Sequence, residues 1–125
     1  MGFERLHPDI QASCGALFLN GHYQASALEA CKSVAEALRA TSGLALDGTS
    51  LAEAALGGSP PPVQLNAGVT TTDRSEQQGF MRLASGLMLG VRNRSAHEVG
   101  EPDRIVTFEW LCVASLILRY MEEKP

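Results

Sequence analysis

The stretch DRSEQQGFMRLASGLMLGVRNRSAH, residues 73–97, decides the fold. Asp73 and Glu76 have the spacing of a capping box that opens a helix. Phe80, Leu83, Ala84, Leu87, Met88 and Val91 then recur at i, i+3, i+4, i+7, i+8 and i+11. An α-helix gathers that spacing into one apolar stripe, which needs a core to cover it. The stripe runs into the polar segment Arg92-Asn93-Arg94-Ser95-Ala96-His97-Glu98, and Gly100 and Pro102 close the unit.

Downstream, a last helix is expected from about Pro102 or Asp103 to Met121. Its middle, TFEWLCVASLILRY, is apolar nearly all the way round, as in a helix central to a fold or shared with a partner subunit. Upstream, residues 57–71 read GGSPPPVQLNAGVTT, where three consecutive prolines and three glycines forbid a regular helix. A loop of that length is long for a compact domain. It is either a functional or mobile segment or a surface connector. Before it, a short helix is expected near 49–56, capped by Thr49 or Ser50, and a longer one from about His22 to Thr41, rich in alanine and ended by Gly43. A first helix over about 8–19 has Pro8 in its first turn, presents Ile10, Cys14, Leu17 and Phe18 on one face, and stops at Asn20-Gly21. With few alternating β-branched runs, the chain reads as an all-α antiparallel bundle of four to five helices with one long irregular loop.

The chain's 125 residues, 45% of them hydrophobic, suffice for one domain over 1–125 with its own core. No apolar run reaches the ~18 residues of a membrane span. The opening MGFERLHPDI carries an acid and no apolar stretch, unlike a secretory leader. Cys14, Cys31 and Cys112 are an odd set, each among apolar neighbours and none spaced as a zinc knuckle. They read as buried, reduced thiols of a cytoplasmic protein, and no metal or cofactor is expected. A formal net charge of −4 argues against holding nucleic acid by bulk positive charge. The acidity is uneven, however. Residues 1–72 carry six acids and three bases, whereas 77–97 carries Arg82, Arg92 and Arg94 and no acid.

Within that arginine strip, Asn93 and His97 are four apart and share a helix face. Arg92 and His97 are five apart, about 140° around a helix of 3.6 residues per turn. They converge if Arg92 curls round, if the helix is disturbed, or if a second copy of the chain supplies the partner.

The stretch LNAGVTTTDRSEQQGFMRLASGLMLGVRNRSAHE, residues 65–98, resembles the signature region of the Ymh family of bacterial and phage proteins. LHPDI, LFLNGHYQASALEACKSV and LAEAALG upstream resemble the same family, so the likeness spans about Leu6 to Leu118. That family is similar to the HEPN superfamily of helical domains, whose hallmark is R-x4-6-H with a polar residue after the arginine. Here those positions are Arg92, Asn93 and His97. Relatives often have a proline after the Arg-Asn pair, where this chain has Arg94. The resemblance implies a metal-independent endoribonuclease in defence, toxin–antitoxin or phage-related biology. It also implies a homodimer that sets two motifs across one cleft, and an antitoxin or other protein as partner. RNA supplies its own nucleophile, the 2′-OH, so the protein must move protons and hold charge. His97 suits acid–base work near neutral pH, Arg92 holds phosphate oxygens with forked donors, and Asn93 orients either through its amide.

Arg94, Arg82, His22 and Tyr23 are the candidate auxiliary RNA contacts. For His22 and Tyr23 the plainer reading is a helix start with a buried tyrosine. His7 reads as a turn residue beside Pro8, and Trp110 as core. The competing functional class is a non-catalytic helical module that binds RNA, a nucleotide or a protein through the same cleft, and the acidic composition speaks for it. Relatives with extra N-terminal sequence make the domain compatible with a longer natural protein.

Overall fold

The computed structural model describes residues 2–97 and 100–122, apart from the side chains of 93–97. Those residues form five helices and, ahead of them, a short 3-10 turn at Phe3–Arg5; no strand occurs among them. The helices are α1 (Pro8–Leu19), α2 (Tyr23–Ser42), α3 (Gly48–Leu56), α4 (Thr71–His97) and α5 (Arg104–Glu122). The all-α reading holds, and each element starts and ends within about two residues of its sequence-based bounds.

The helix starts differ in their chemistry from the sequence reading. For α4 the capping box lies one turn earlier than Asp73–Glu76. Thr70 Oγ1 accepts the Asp73 N–H at 3.0 Å, and the Asp73 carboxylate accepts the N–H groups of Val69 and Thr70. Both polar partners are needed to satisfy the helix's orphan donors, and threonine followed three residues on by an acid supplies both. For α3 the cap is Asp47, whose carboxylate accepts the Gly48 N–H at 2.8 Å, rather than Thr49 or Ser50. His7 is more than a turn residue. It is buried, it N-caps α1 by accepting the Asp9 N–H on Nδ1, and its Nε2 meets Glu122 at 2.6 Å. Its backbone N–H donates to Ser115 Oγ, so this one residue fastens the chain's start to α5.

Helix α2 is the hub and touches all four others. Its buried face is mostly small, with Ser26, Ala27, Ala30, Cys31 and Ala35, and such side chains let neighbouring helices come close. Val34 and Leu38, both fully buried, fill what remains, and each is worth about 1.5–3 kcal/mol of apolar burial. The more apolar α5 does not take the centre. It packs Thr107, Leu111, Ala114, Ile117, Leu118 and Met121 inward and leaves Ile105, Val106 and Leu116 exposed. Half-buried Trp110 lies against Gly90, where an added Cβ would stand 3.0 Å from the indole.

Helix α3 lies antiparallel along α4. Gly57, just past its end, comes against Met81, Glu53 accepts from Ser85, and Gly48 at its start faces Arg92. That direction carries the α3 N-terminus to the C-terminal end of α4. The segment between them, residues 57–70, is more than a surface connector. It is a strap packed on the first half of α4, with Val63 and Leu65 in the core. Buried Gln77 holds it. Its Nε2 donates to Leu56 O and Val63 O, both at 2.8 Å, and its Oε1 accepts the Leu65 N–H at 2.9 Å. Glu76 accepts from Asn66 Nδ2 and from the Tyr120 hydroxyl, which ties strap, α4 and α5 together.

Candidate functional site

The antiparallel α3–α4 pairing, with α2 across it, leaves a groove at the C-terminal end of α4. Leu28, Cys31, Ala35 and Met88 contribute apolar lining, and Lys32, Glu36, Arg39, Asp47 and Arg92 supply the charge around a volume of about 380 Å³. Burial pushes the Cys31 thiol up to about 12, so it is protonated and inert at neutral pH.

Two guanidinium groups meet one carboxylate here. Arg92 Nη1 lies 3.2 Å from Asp47 Oδ2, and Arg39 Nη1 lies 3.4 Å from Asp47 Oδ1. Arg39, in the last turn of α2, also donates to Leu46 O. Asp47 itself is fixed by capping α3. Its carboxyl is held below the ordinary aspartate range, first by the Gly48 N–H, which outweighs the opposing effect of burial, and then by Arg92 and Arg39. All three side chains are open to solvent, with 62% of Asp47, 50% of Arg92 and 36% of Arg39 exposed. Gly48 is required beneath them. Its φ of +60° is left-handed, and a Cβ there would stand 3.0 Å from Arg92 Nη1.

Of the residues singled out in the sequence, Arg92 stands in this groove. Asn93, Arg94 and His97 follow on a backbone that is helical through His97, and their side chains lie outside the described residues. Positions 93 and 97 share a helix face, with 92 about 140° from 97. Arg82 is exposed on α4 and lines none of the described cavities. His22 is the exposed N-cap of α2, without a side-chain capping bond. Tyr23 is half-buried and packs edge-on against Phe18 at 5.3 Å between ring centroids, within a cluster that includes Phe3 and Phe108. Both sit at the end of the bundle where α4 finishes, because the Gln24 N–H donates to Glu101 just beyond it.

Sequence reasoning missed Arg39 and Asp47. The signal for Asp47 is the Asp-Gly step ahead of an apolar helical run, which marks an N-cap; Arg39 carries no signal without the third dimension. A second cavity of about 480 Å³ lies between the strap and the first half of α4, with Pro60, Gln64, Asn66, Arg74, Gln78 and Met81 on its walls. It is remote from the groove, since Arg74 and Arg92 are about 27 Å apart along a helix rising 1.5 Å per residue.

Fold and groove together define a small all-helical domain with an open, arginine-bearing cleft at one end. The family model described as Hypoth_Ymh, a protein family of unknown function, matches residues 4–121, and the chain belongs to that family. No curated protein and no solved structure matches it. No described helix is long and apolar enough to cross a membrane.

Proposed function

We propose that the domain is a HEPN-type endoribonuclease that cleaves RNA with Arg92, Asn93 and His97. The observation that supports this most is the setting of Arg92. Its guanidinium is half-exposed in an open groove, on a helix whose backbone continues unbroken to His97. A phosphodiester at this end of α4 meets a permanent forked donor at Arg92, and His97, about 140° round the unbroken helix, meets it from a second copy of the chain. His97 takes the 2′-OH proton or delivers one to the leaving 5′-oxygen, Arg92 holds the charge that builds on phosphorus, and Asn93 orients its face-mate His97. One histidine serves only one proton role at a time, so a second copy of the chain completes the pair across the cleft. No step asks for a metal ion.

The test is cleavage of single-stranded RNA by the purified protein in EDTA. Products should end in 2′,3′-cyclic phosphate, and DNA, which lacks the 2′-OH, should survive. His97→Ala should lower the rate about 10²–10⁴-fold, the usual contribution of a general acid–base group, with the fold retained. Undiminished cleavage by that variant would remove His97 from the mechanism.

One observation favours a second reading, a binding module without turnover. Arg92 is already engaged by Asp47, and a guanidinium spent on an internal carboxylate suits a site that recognises rather than reacts. RNA binding without product, or a stable complex with a protein partner, decides for it.

A further inference from the structure

We propose that Arg39 and Arg92 together form a binding site for a phosphate group, and that the Asp47 carboxylate is its displaceable internal occupant. The inference rests on the reading that the Arg92 end of α4 meets RNA, and it adds a second arginine, from a different helix, and a built-in competitor.

Two guanidinium groups from α2 and α4 reach the two oxygens of one carboxylate, Arg39 at Oδ1 and Arg92 at Oδ2. A pair of fixed forks around one anion is also the geometry that grips a phosphate oxyanion, which offers more oxygens and more charge than a carboxylate. The anion sits at the N-terminus of α3, where the backbone favours negative charge; Asp47 uses that donor now, through the Gly48 N–H. Lys32 stands on the same groove, drawn towards Glu29 at 3.0 Å, and Glu36 is the other acid on its wall. The groove is therefore balanced rather than basic while Asp47 is in place, and becomes more positive when Asp47 leaves. Leaving is easy. Ion pairs this exposed are weak and screened by salt, and water is at hand to solvate the released carboxylate. Asp47 thus holds both arginines at one point of the groove, and sets a threshold that weak anions do not pass.

The discriminating variant is Asp47→Asn. The amide keeps an oxygen for the Gly48 N–H, and asparagine caps helices as well as aspartate, so the fold should survive and far-UV circular dichroism should confirm it. The probe is a 2′-O-methyl oligoribonucleotide, which cannot be cleaved, with inorganic phosphate in a parallel titration. Asp47→Asn should bind the oligonucleotide roughly tenfold more tightly than the parent, the scale of one additional charge-assisted hydrogen bond. Adding Arg39→Gln should reverse that increase and flatten the slope of log K against log salt by about 0.7, as removal of one neutralised phosphate does for a single strand. If inorganic phosphate competes and shifts the Arg39 and Arg92 side-chain resonances, the site takes free phosphate as well; if only the oligonucleotide does so, the site reads phosphate in a backbone. A folded Asp47→Asn protein with parental affinity for both probes overturns the inference, and so does tighter binding that survives Arg39→Gln. Failure of the ribonuclease reading looks different. There, Asp47→Asn tightens binding as expected while no form of the protein cuts RNA. Conversely, His97-dependent cutting with unchanged binding in Asp47→Asn leaves that reading standing and removes this one.

Discussion

The two ends of α4 hold their neighbours by opposite means. At its first half the strap is fixed chiefly by one neutral amide out of water. Gln77 spends its amide on two carbonyls and one N–H, all buried, and Asn66 and Glu76 close the turn beside it. At its last turns the contacts are ionic, longer and open to solvent, with Asp47 shared between Arg39 and Arg92. A buried amide has no alternative partner if its own is removed, so its bonds are costly to break. An exposed carboxylate has water as a ready alternative, so its bonds exchange. One helix therefore anchors the fold at one end and keeps charged groups available at the other.

The largest effect on that contrast is expected from Gln77→Ala. It strands the Leu65 N–H and the carbonyls of Leu56 and Val63, and each buried group left without a partner costs about 1–3 kcal/mol. The neighbouring cavity can admit water to some of them, so a loss of about 2–4 kcal/mol is expected in urea denaturation. Gln77→Glu should do no better, because a carboxylate oxygen would face the two carbonyls in place of the amide donor. A loss under about 0.5 kcal/mol for the alanine variant would mean that the strap is held by Val63 and Leu65 alone, and the contrast between the two ends would fail.

Much of this was legible in the sequence, for identifiable reasons. The stripe from Phe80 to Val91 and the alanine-rich run in α2 are local, periodic signals, and they located the helices and most of the core. Arg92 was legible through the motif it belongs to. The strap was not. Proline and glycine announce that a helix stops, but whether the next residues hang free or pack depends on a partner elsewhere, here Gln77. That glutamine reads as one more polar residue on a helix face until the strap is laid beside it. Glu76 illustrates the opposite error. Its spacing from Asp73 satisfied a local rule, yet the rule was already met one turn earlier by Thr70 and Asp73, which freed Glu76 for Asn66 and Tyr120. Asp47 and Arg39 join across a turn and meet Arg92 only because α3 runs antiparallel to α4.

His7 supplies an intermediate case, since it is buried but bonded to an exposed acid. His7→Ala removes the α1 cap and the contact to Glu122, and leaves a space beneath the chain's start. A lost cap costs about 1 kcal/mol, and the lost packing adds to it, so a total of about 1–3 kcal/mol is expected from thermal or urea unfolding. His7→Asn restores a capping oxygen but not the reach to Glu122, and should recover about half. If asparagine recovers nothing, the α5 contact and not the cap carries the residue's contribution.

The smallest effect belongs to the groove and is the most telling for function. A double-mutant cycle on Arg92→Gln and Asp47→Asn should give a coupling of about 0.2–1 kcal/mol to stability, the range of exposed ion pairs, and less in high salt. The sign of its pH dependence is fixed by Asp47. Its folded carboxyl is held below the ordinary aspartate range, so the stabilisation is fully present above that range and is lost as pH falls through the lowered folded value. Between pH 5 and 8 the coupling should therefore be flat, and any pH dependence of RNA cleavage in that window belongs to another group, with His97 the candidate. A coupling of several kcal/mol would mean that Asp47 and Arg92 are a structural clamp, too costly to open for a phosphate. A coupling within about 0.2–1 kcal/mol, beside a marked loss of RNA binding in Arg92→Gln, is what an arginine held ready for an anion predicts.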